Sequence, residues 1–265
     1  MLTAILLGAA LLQTPSVPQA LADGRRLVLD DEFDVTGKLD KTKWGYETGN
    51  LRNDEQQYFV GDRSNNSWVE DGHFVIQARR ECWDRWDYTS ASVFALKPLV
   101  HARVEVRAKV PAGRGVASLI WLMGADFPTT MWPECGEISM LEHVGRDPNA
   151  ASVTINSKEF NVQKDNELTG SLEAPDFAAS YHLYVMDWTA ENITLSIDGK
   201  EILTYAKDPK KLDGWPFDKP MMLKMQLGVG GALGGSTGEG KDTHKGIDTE
   251  MFPKQMLIDY VRVYE

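Results

Sequence analysis

The stretch Trp132-Pro133-Glu134-Cys135-Gly136-Glu137-Ile138-Ser139-Met140-Leu141-Glu142-His143 places two acids five residues apart inside a mostly apolar run. Side chains of a regular strand alternate between faces, so an odd separation sends Glu137 and Glu142 to opposite sides. One extra residue, absorbed between them as a β-bulge, restores the match. Glu137, Ser139 and Glu142 then share one face, while His143 points to the other and is read as structural. Without a bulge the two acids read as solvent-facing or salt-bridged strand residues.

Working outward, the chain repeats short runs of β-branched and aromatic residues separated by Gly, Pro, Asn and Asp. Val104, Val106, Ala108 and Val110 alternate with Glu105, Arg107 and Lys109, giving one apolar and one charged face before Pro111 ends the run. Ile193 to Ile197 and Lys200 to Tyr205 flank Asp198-Gly199, a pair suited to the positive backbone angles of a two-residue hairpin. Met256 to Tyr264 reads as a further strand. Gly228 to Gly240 lacks the strand-to-helix setting of a phosphate-binding loop and reads as a surface loop or as the wall of a cleft. With no repeats, heptads or dividing linker, these patterns predict an all-β fold: a jelly-roll sandwich of two antiparallel sheets with a concave cleft.

At 265 residues and a net charge of -11, with Lys and Arg scattered, the chain does not suit nucleic acid or an anionic membrane as partner; a neutral polymer is compatible. The apolar run Ile5 to Leu12 is too short to span a bilayer. With small residues at Ala20 and Ala22, residues 1–22 read as a signal peptide and the protein as secreted or periplasmic. The alternative is a truncated or disordered N-terminus, and no basic residue stands next to Met1. Cys82 and Cys135 are the only cysteines, allow at most one disulfide, and read as buried inert thiols.

Four effective strand steps separate the α-carbons of Glu137 and Glu142 by about 13 Å. Side chains leaning inward bring the carboxyls toward the roughly 5 Å of a retaining glycosidase, in which one acid attacks and the other shuttles a proton. The segment resembles the laminarinase-type signature of glycoside hydrolase family 16, in which Trp-Pro precedes Gly-Glu-Ile-Asp and a second Glu follows across a bulge. Further segments resemble that family in order: Asp31-Glu32-Phe33, Asn53-Asp54-Glu55-Gln56-Gln57-Tyr58, Val104 to Pro111, Trp121-Leu122-Met123-Gly124, Tyr181 to Tyr184 with Asp187-Trp188, Trp215-Pro216-Phe217 and Asp259 to Tyr264. The resemblance implies a single catalytic domain over 23–265, monomeric, acting on a β-glucan polysaccharide or oligosaccharide. It implies endo-hydrolysis of β-1,3-glucan or mixed-linkage β-1,3-1,4-glucan, with Glu137 as nucleophile, Glu142 as acid and base, and Ser139 between them. Asn53, Tyr58, Trp121, Trp132, Asn156 and Trp215 are the matching candidates for substrate contact. Trp121 and Trp188 also read as core residues; Trp83 and Trp86 are further aromatics on candidate loops. No cofactor is implied for the chemistry, and a structural Ca2+ would fall at Glu32, Gly72 and Asp259.

Several positions depart from the family pattern. Ser139 replaces an Asp thought to orient the nucleophile; Ser keeps a donor but brings no charge, which lowers the pKa values of both glutamates and predicts reduced activity with an acid-shifted profile. Ala117-Ser118 stands for Trp-Pro, Asn156 for His, and Ala232-Leu233 for Asn-Trp. These losses leave two other readings: a glucan-binding protein that has lost hydrolysis, and a hydrolase of a galactan such as agar or carrageenan.

Overall fold

The computed structural model describes residues 17–235 and 246–265. The expected leader run Ile5 to Leu12 and the later part of the glycine-rich segment lie outside them. Ala20 is described and bridges to Arg26. Among the described residues, no helix is long and apolar enough to cross a membrane.

In chain order the strands are β1 (Leu27–Asp31), β2 (Trp44–Glu47), β3 (Gln57–Phe59), β4 (Ser67–Glu70), β5 (His73–Trp83), β6 (Trp86–Ser90), β7 (Ser92–Ala95), β8 (Arg103–Lys109) and β9 (Val116–Gly124). They continue with β10 (Glu137–Val144), β11 (Ala150–Asn156), β12 (Leu168–Glu173), β13 (His182–Trp188), β14 (Asn192–Ile197), β15 (Lys200–Ala206), β16 (Met221–Val229) and β17 (Lys254–Tyr264). They form two sheets. The seven-stranded sheet runs β12-β11-β10-β9-β16-β7-β2, and the ten-stranded one runs β15-β14-β13-β8-β17-β5-β6-β3, with β1 paired to β17 and β4 to β5. Every pairing is antiparallel except β3 with β6, where Gln57, Tyr58 and Phe59 lie parallel to Tyr88, Thr89 and Ser90.

The alternation along β8 is what packs the sheets together. Val104, Val106 and Ala108 are buried in one continuous core with Ile120, Leu122, Ile138, Leu141, Trp188, Phe217 and Met225, while Arg103 and Glu105 pair on the outer face at 2.7 Å. The hairpin between β14 and β15 turns through Asp198 at φ 51° and Gly199 at φ 77°, as the Asp-Gly pair predicts. β17 pairs with β8 along one edge and with β5 and β1 along the other, so it lies inside its sheet. Trp188 is a core residue, its Nε1 donating to Phe217 O at 3.0 Å.

Three sequence expectations change here. The glycine-rich segment is not one loop: β16 extends through Gly228 and Val229, and Gly231–Gly234 forms a helical turn, α1. Gly231 has φ +70°, and a Cβ there would lie 2.5 Å from Asn53 O, so this close approach requires glycine. The two cysteines do not pair, and Cys82 is exposed; only Cys135 is buried, which pushes its thiol up to about 11. Trp215 is buried, donates to Asp218 Oδ1 at 3.0 Å and packs edge-on against Phe217, so it is a core residue away from the cleft.

Candidate active site

β10 contains the bulge. Ser139 pairs with Trp121 and Leu141 with Ile120 of β9, so two steps on β10 answer one step on its neighbour. On the other side, three steps from Ser139 to Glu142 answer two steps from Thr154 to Ser152. Met140 is the extra residue, and Met140 and Leu141 are both buried in the main core. The cost of the bulge is local. Its product is a shared face for Glu137, Ser139 and Glu142, with Ile138 and His143 on the core side; His143 is buried, its Nδ1 donating to Ala150 O at 2.9 Å.

Strand pairing extends that face across the sheet. Glu137 lies opposite Met123 and Asn156, Ser139 opposite Trp121 and Thr154, and Glu142 opposite Leu119 and Ser152. Ala117, Leu119 and Trp121 form a small apolar cluster of their own, apart from the main core, with Met123 and Leu233 packed on it. Above them is a cleft of about 660 Å3, with both glutamates, Asn53, Trp121, Trp132, Asn156, Ala232 and Leu233 in its walls. Trp121 is therefore buried in this second, smaller cluster and also lines the cleft above it. Gly136, just before β10, adopts φ +81° with Pro216 packed where a Cβ would be, which brings the Trp132 segment against the Trp215 segment.

Burial raises both acids. It pushes Glu137 up to about 7, aided by the charge of Glu142 and opposed by a hydrogen bond from Asn156, the charge of Arg52 and the Ser139 hydroxyl. Burial likewise raises Glu142, against the hydroxyls of Ser139 and Thr154. Two acids so placed release their protons in two separated steps that belong to the pair. Asn156 Nδ2 donates to Glu137 Oε1 at 3.1 Å, and its Oδ1 accepts from Val162 N at 3.3 Å, which fixes the amide orientation. Thr154 Oγ1 donates to Glu142 Oε2 at 3.2 Å. Ser139 Oγ is buried and closes no hydrogen bond with either carboxyl; its influence on both is that of a nearby dipole.

One end of the cleft is charged, which the sequence reading did not find. Glu47 accepts from Arg52 Nη2 at 2.6 Å, Lys224 Nζ at 2.8 Å and Ser92 Oγ at 2.6 Å. Although burial opposes it, these two cations hold Glu47 down at about 2. Behind them Gln226 bonds both Arg52 and the buried Glu55, at 2.6 and 2.8 Å. Polar Lys224 and Gln226 alternating with apolar neighbours in β16 was the available signal.

Two other groups of candidates fare differently. Tyr58 does not enter the cleft: its neighbours Gln57 and Phe59 are buried, and alternation turns Tyr58 to the other side. The calcium candidates do not fit an oxygen cage. Both carboxylate oxygens of Glu32 accept from Arg262, at 2.7 and 2.8 Å, and Asp259 pairs with Arg107, with His73 3.7 Å away. Gly72 sits in the turn between β4 and β5 at φ 74°. Among the described residues there is no cluster of three or more metal-ligating side chains.

Known proteins share this architecture. Residues 53–261 match the family model for glycosyl hydrolases family 16. The chain is 36% identical over 251 residues to a β-glucanase of Rhodothermus marinus, covering 90% of this chain and 84% of that one. It superposes with a TM-score of 0.83 on the laminarinase of Rhodothermus marinus, at 34% identity over 91% of this chain and 97% of the other. It also superposes with a TM-score of 0.84 on SCLam, a non-specific endo-β-1,3(4)-glucanase, at 34% identity over 94% of each chain.

Proposed function

Because the chain belongs to glycosyl hydrolases family 16, we propose that it cuts β-1,3-glucan or mixed-linkage β-1,3-1,4-glucan internally with retention, using Glu137 as nucleophile and Glu142 as acid and base. The observation that carries this reading is the bulge at Met140, which turns both carboxyls into one cleft. In the first step Glu137 attacks the anomeric carbon as Glu142 gives its proton to the departing glycosidic oxygen. In the second, Glu142 takes a proton from water, whose oxygen displaces Glu137 and restores both groups. Raised pKa values suit this division: one carboxyl of the pair keeps a proton after the other has ionised. Asn156 and Arg52 favour the ionised form at Glu137. Two carboxyls suffice for the chemistry.

Trp132 and Phe127 supply apolar surface for the faces of pyranose rings, and Asn53 a polar contact. Secretion or periplasmic export is part of the proposal, resting on the apolar run Ile5 to Leu12 and on small residues at Ala20 and Ala22. A polymeric glucan is also too large to enter a cell.

The test is reducing-end release from laminarin, lichenan, cellulose and agarose, with product sizing and proton NMR of the first anomer formed. The expected outcome is mixed oligosaccharides of retained configuration from laminarin or lichenan, with release abolished in Glu137→Gln. Equal signals from both proteins would make the chain a glucan binder, and cleavage of agarose alone would move it to the galactans.

A further inference from the structure

Arg52 is held at both ends of its guanidinium. Nη2 donates to Glu47 and Nη1 to Gln226 Oε1, both at 2.6 Å. Gln226 is oriented in turn, because its Nε2 donates to Glu55 Oε1 at 2.8 Å. Gln57 donates to the other oxygen of Glu55 at 2.6 Å and accepts from Val229 N at 2.7 Å. The loop that carries Arg52 is also fixed: Asn50 Nδ2 donates to Glu55 O and Gln57 O, and Ala232 N donates to Asn53 O at 3.0 Å. No part of this arrangement can swing without breaking a buried or part-buried polar contact.

So pinned, the guanidinium carbon lies 5.3 Å from the centre of the Trp121 ring. Trp121 stands on the floor of the cleft, beside Ser139, yet it is only 3% exposed. A bare indole there would offer a pyranose a stacking face. A cation over the ring takes that face for itself.

We propose that Arg52 is a specificity-determining residue that caps Trp121 and closes the Glu47 end of the cleft, so that the bound glucan gains no sugar stacked on that ring. The inference rests on the β-glucan reading of the same cleft. It goes beyond that reading by setting how many sugar units contribute to affinity. Glu47 and Gln226 are positioning residues for the cap.

The experiment measures binding of laminari-oligosaccharides of two to six units by calorimetry in the Glu137→Gln background, with and without Arg52→Ala. Removing the cap is expected to tighten the longer oligomers by about fivefold, the scale of exposing part of one aromatic face, while leaving the disaccharide unchanged. It should also add saccharide-dependent quenching of tryptophan fluorescence, which Trp121→Phe in the same background removes. Arg52→Lys, which keeps the charge but cannot span Glu47 and Gln226 together, is expected to fall between and serves if the alanine variant folds poorly. Unchanged or weaker binding of long oligomers in both variants overturns the proposal and makes Arg52 inert or a direct sugar ligand. If the otherwise unaltered chain neither cleaves nor binds any glucan, the function itself fails; if it cleaves laminarin while the Arg52 variants bind as before, only the cap fails.

Discussion

Ser139 lies between two buried carboxyls; its hydroxyl oxygen closes no hydrogen bond, yet its dipole opposes the upward shift of both. An aspartate there would add a third negative charge to a desolvated site and raise both glutamates further. Ser139→Asp should therefore move both limbs of the kcat/KM profile to higher pH, by on the order of one unit, and raise the neutral-pH rate on laminarin. A profile that superimposes on the parent's removes Ser139 as the cause of an acid-shifted optimum. That Glu137, Ser139 and Glu142 share a face was legible from strand parity plus one bulge, and the places of Asn53, Trp132 and Asn156 in the cleft wall followed from the order of family-like motifs along the chain. Asn156 proves to be bonded to Glu137 as well as set in the cleft. Trp215 and Tyr58 were not legible in the same way: whether an aromatic faces a sugar or a core depends on which sheet lies beneath it.

At the scale of one strand, the bulge at Met140 carries the chemistry. Deleting Met140 would return β10 to strict alternation and leave one of its two acids facing the core, where an unpaired carboxylate is costly. Hydrolysis should fall below detection and the thermal midpoint should drop by roughly 10 °C or more. Glu142→Gln is the control, since it should lose activity without any fall in the midpoint. A deletion variant that melts with the control, or that still cleaves laminarin, would show that the bulge is dispensable. The alternation of β8 and the Asp198-Gly199 hairpin could be read directly, because each is set by neighbours in sequence. The parallel pairing of β3 with β6 and the helical turn at Gly231–Gly234 could not, since long-range contacts decide them.

Across the whole molecule, the buried acids pull stability in opposite directions. The Glu137–Glu142 pair, raised by burial with Glu137 pushed up to about 7, keeps protons that the unfolded chain has released, so folding weakens as pH climbs from the ordinary carboxylate range through about 7. Glu47, held at about 2 by Arg52 and Lys224, stabilises the fold above the ordinary carboxylate range and is lost as pH falls toward that value. Glu137→Gln removes Glu137's part in the first effect and should raise the thermal midpoint by roughly 5 °C at pH 8 with little change at pH 4. Equal midpoints at both pH values would mean that the carboxyl is not desolvated as its surroundings indicate. The layout of the larger sheet also governs the order of assembly. β17 separates β8 from β5, yet it follows all the other described strands in chain order. Until it arrives, two long hydrophobic edges stand open with no neighbour, so a chain emerging from synthesis cannot close its sandwich stepwise and must zip shut in one late event, exposed meanwhile to mispairing with other nascent copies.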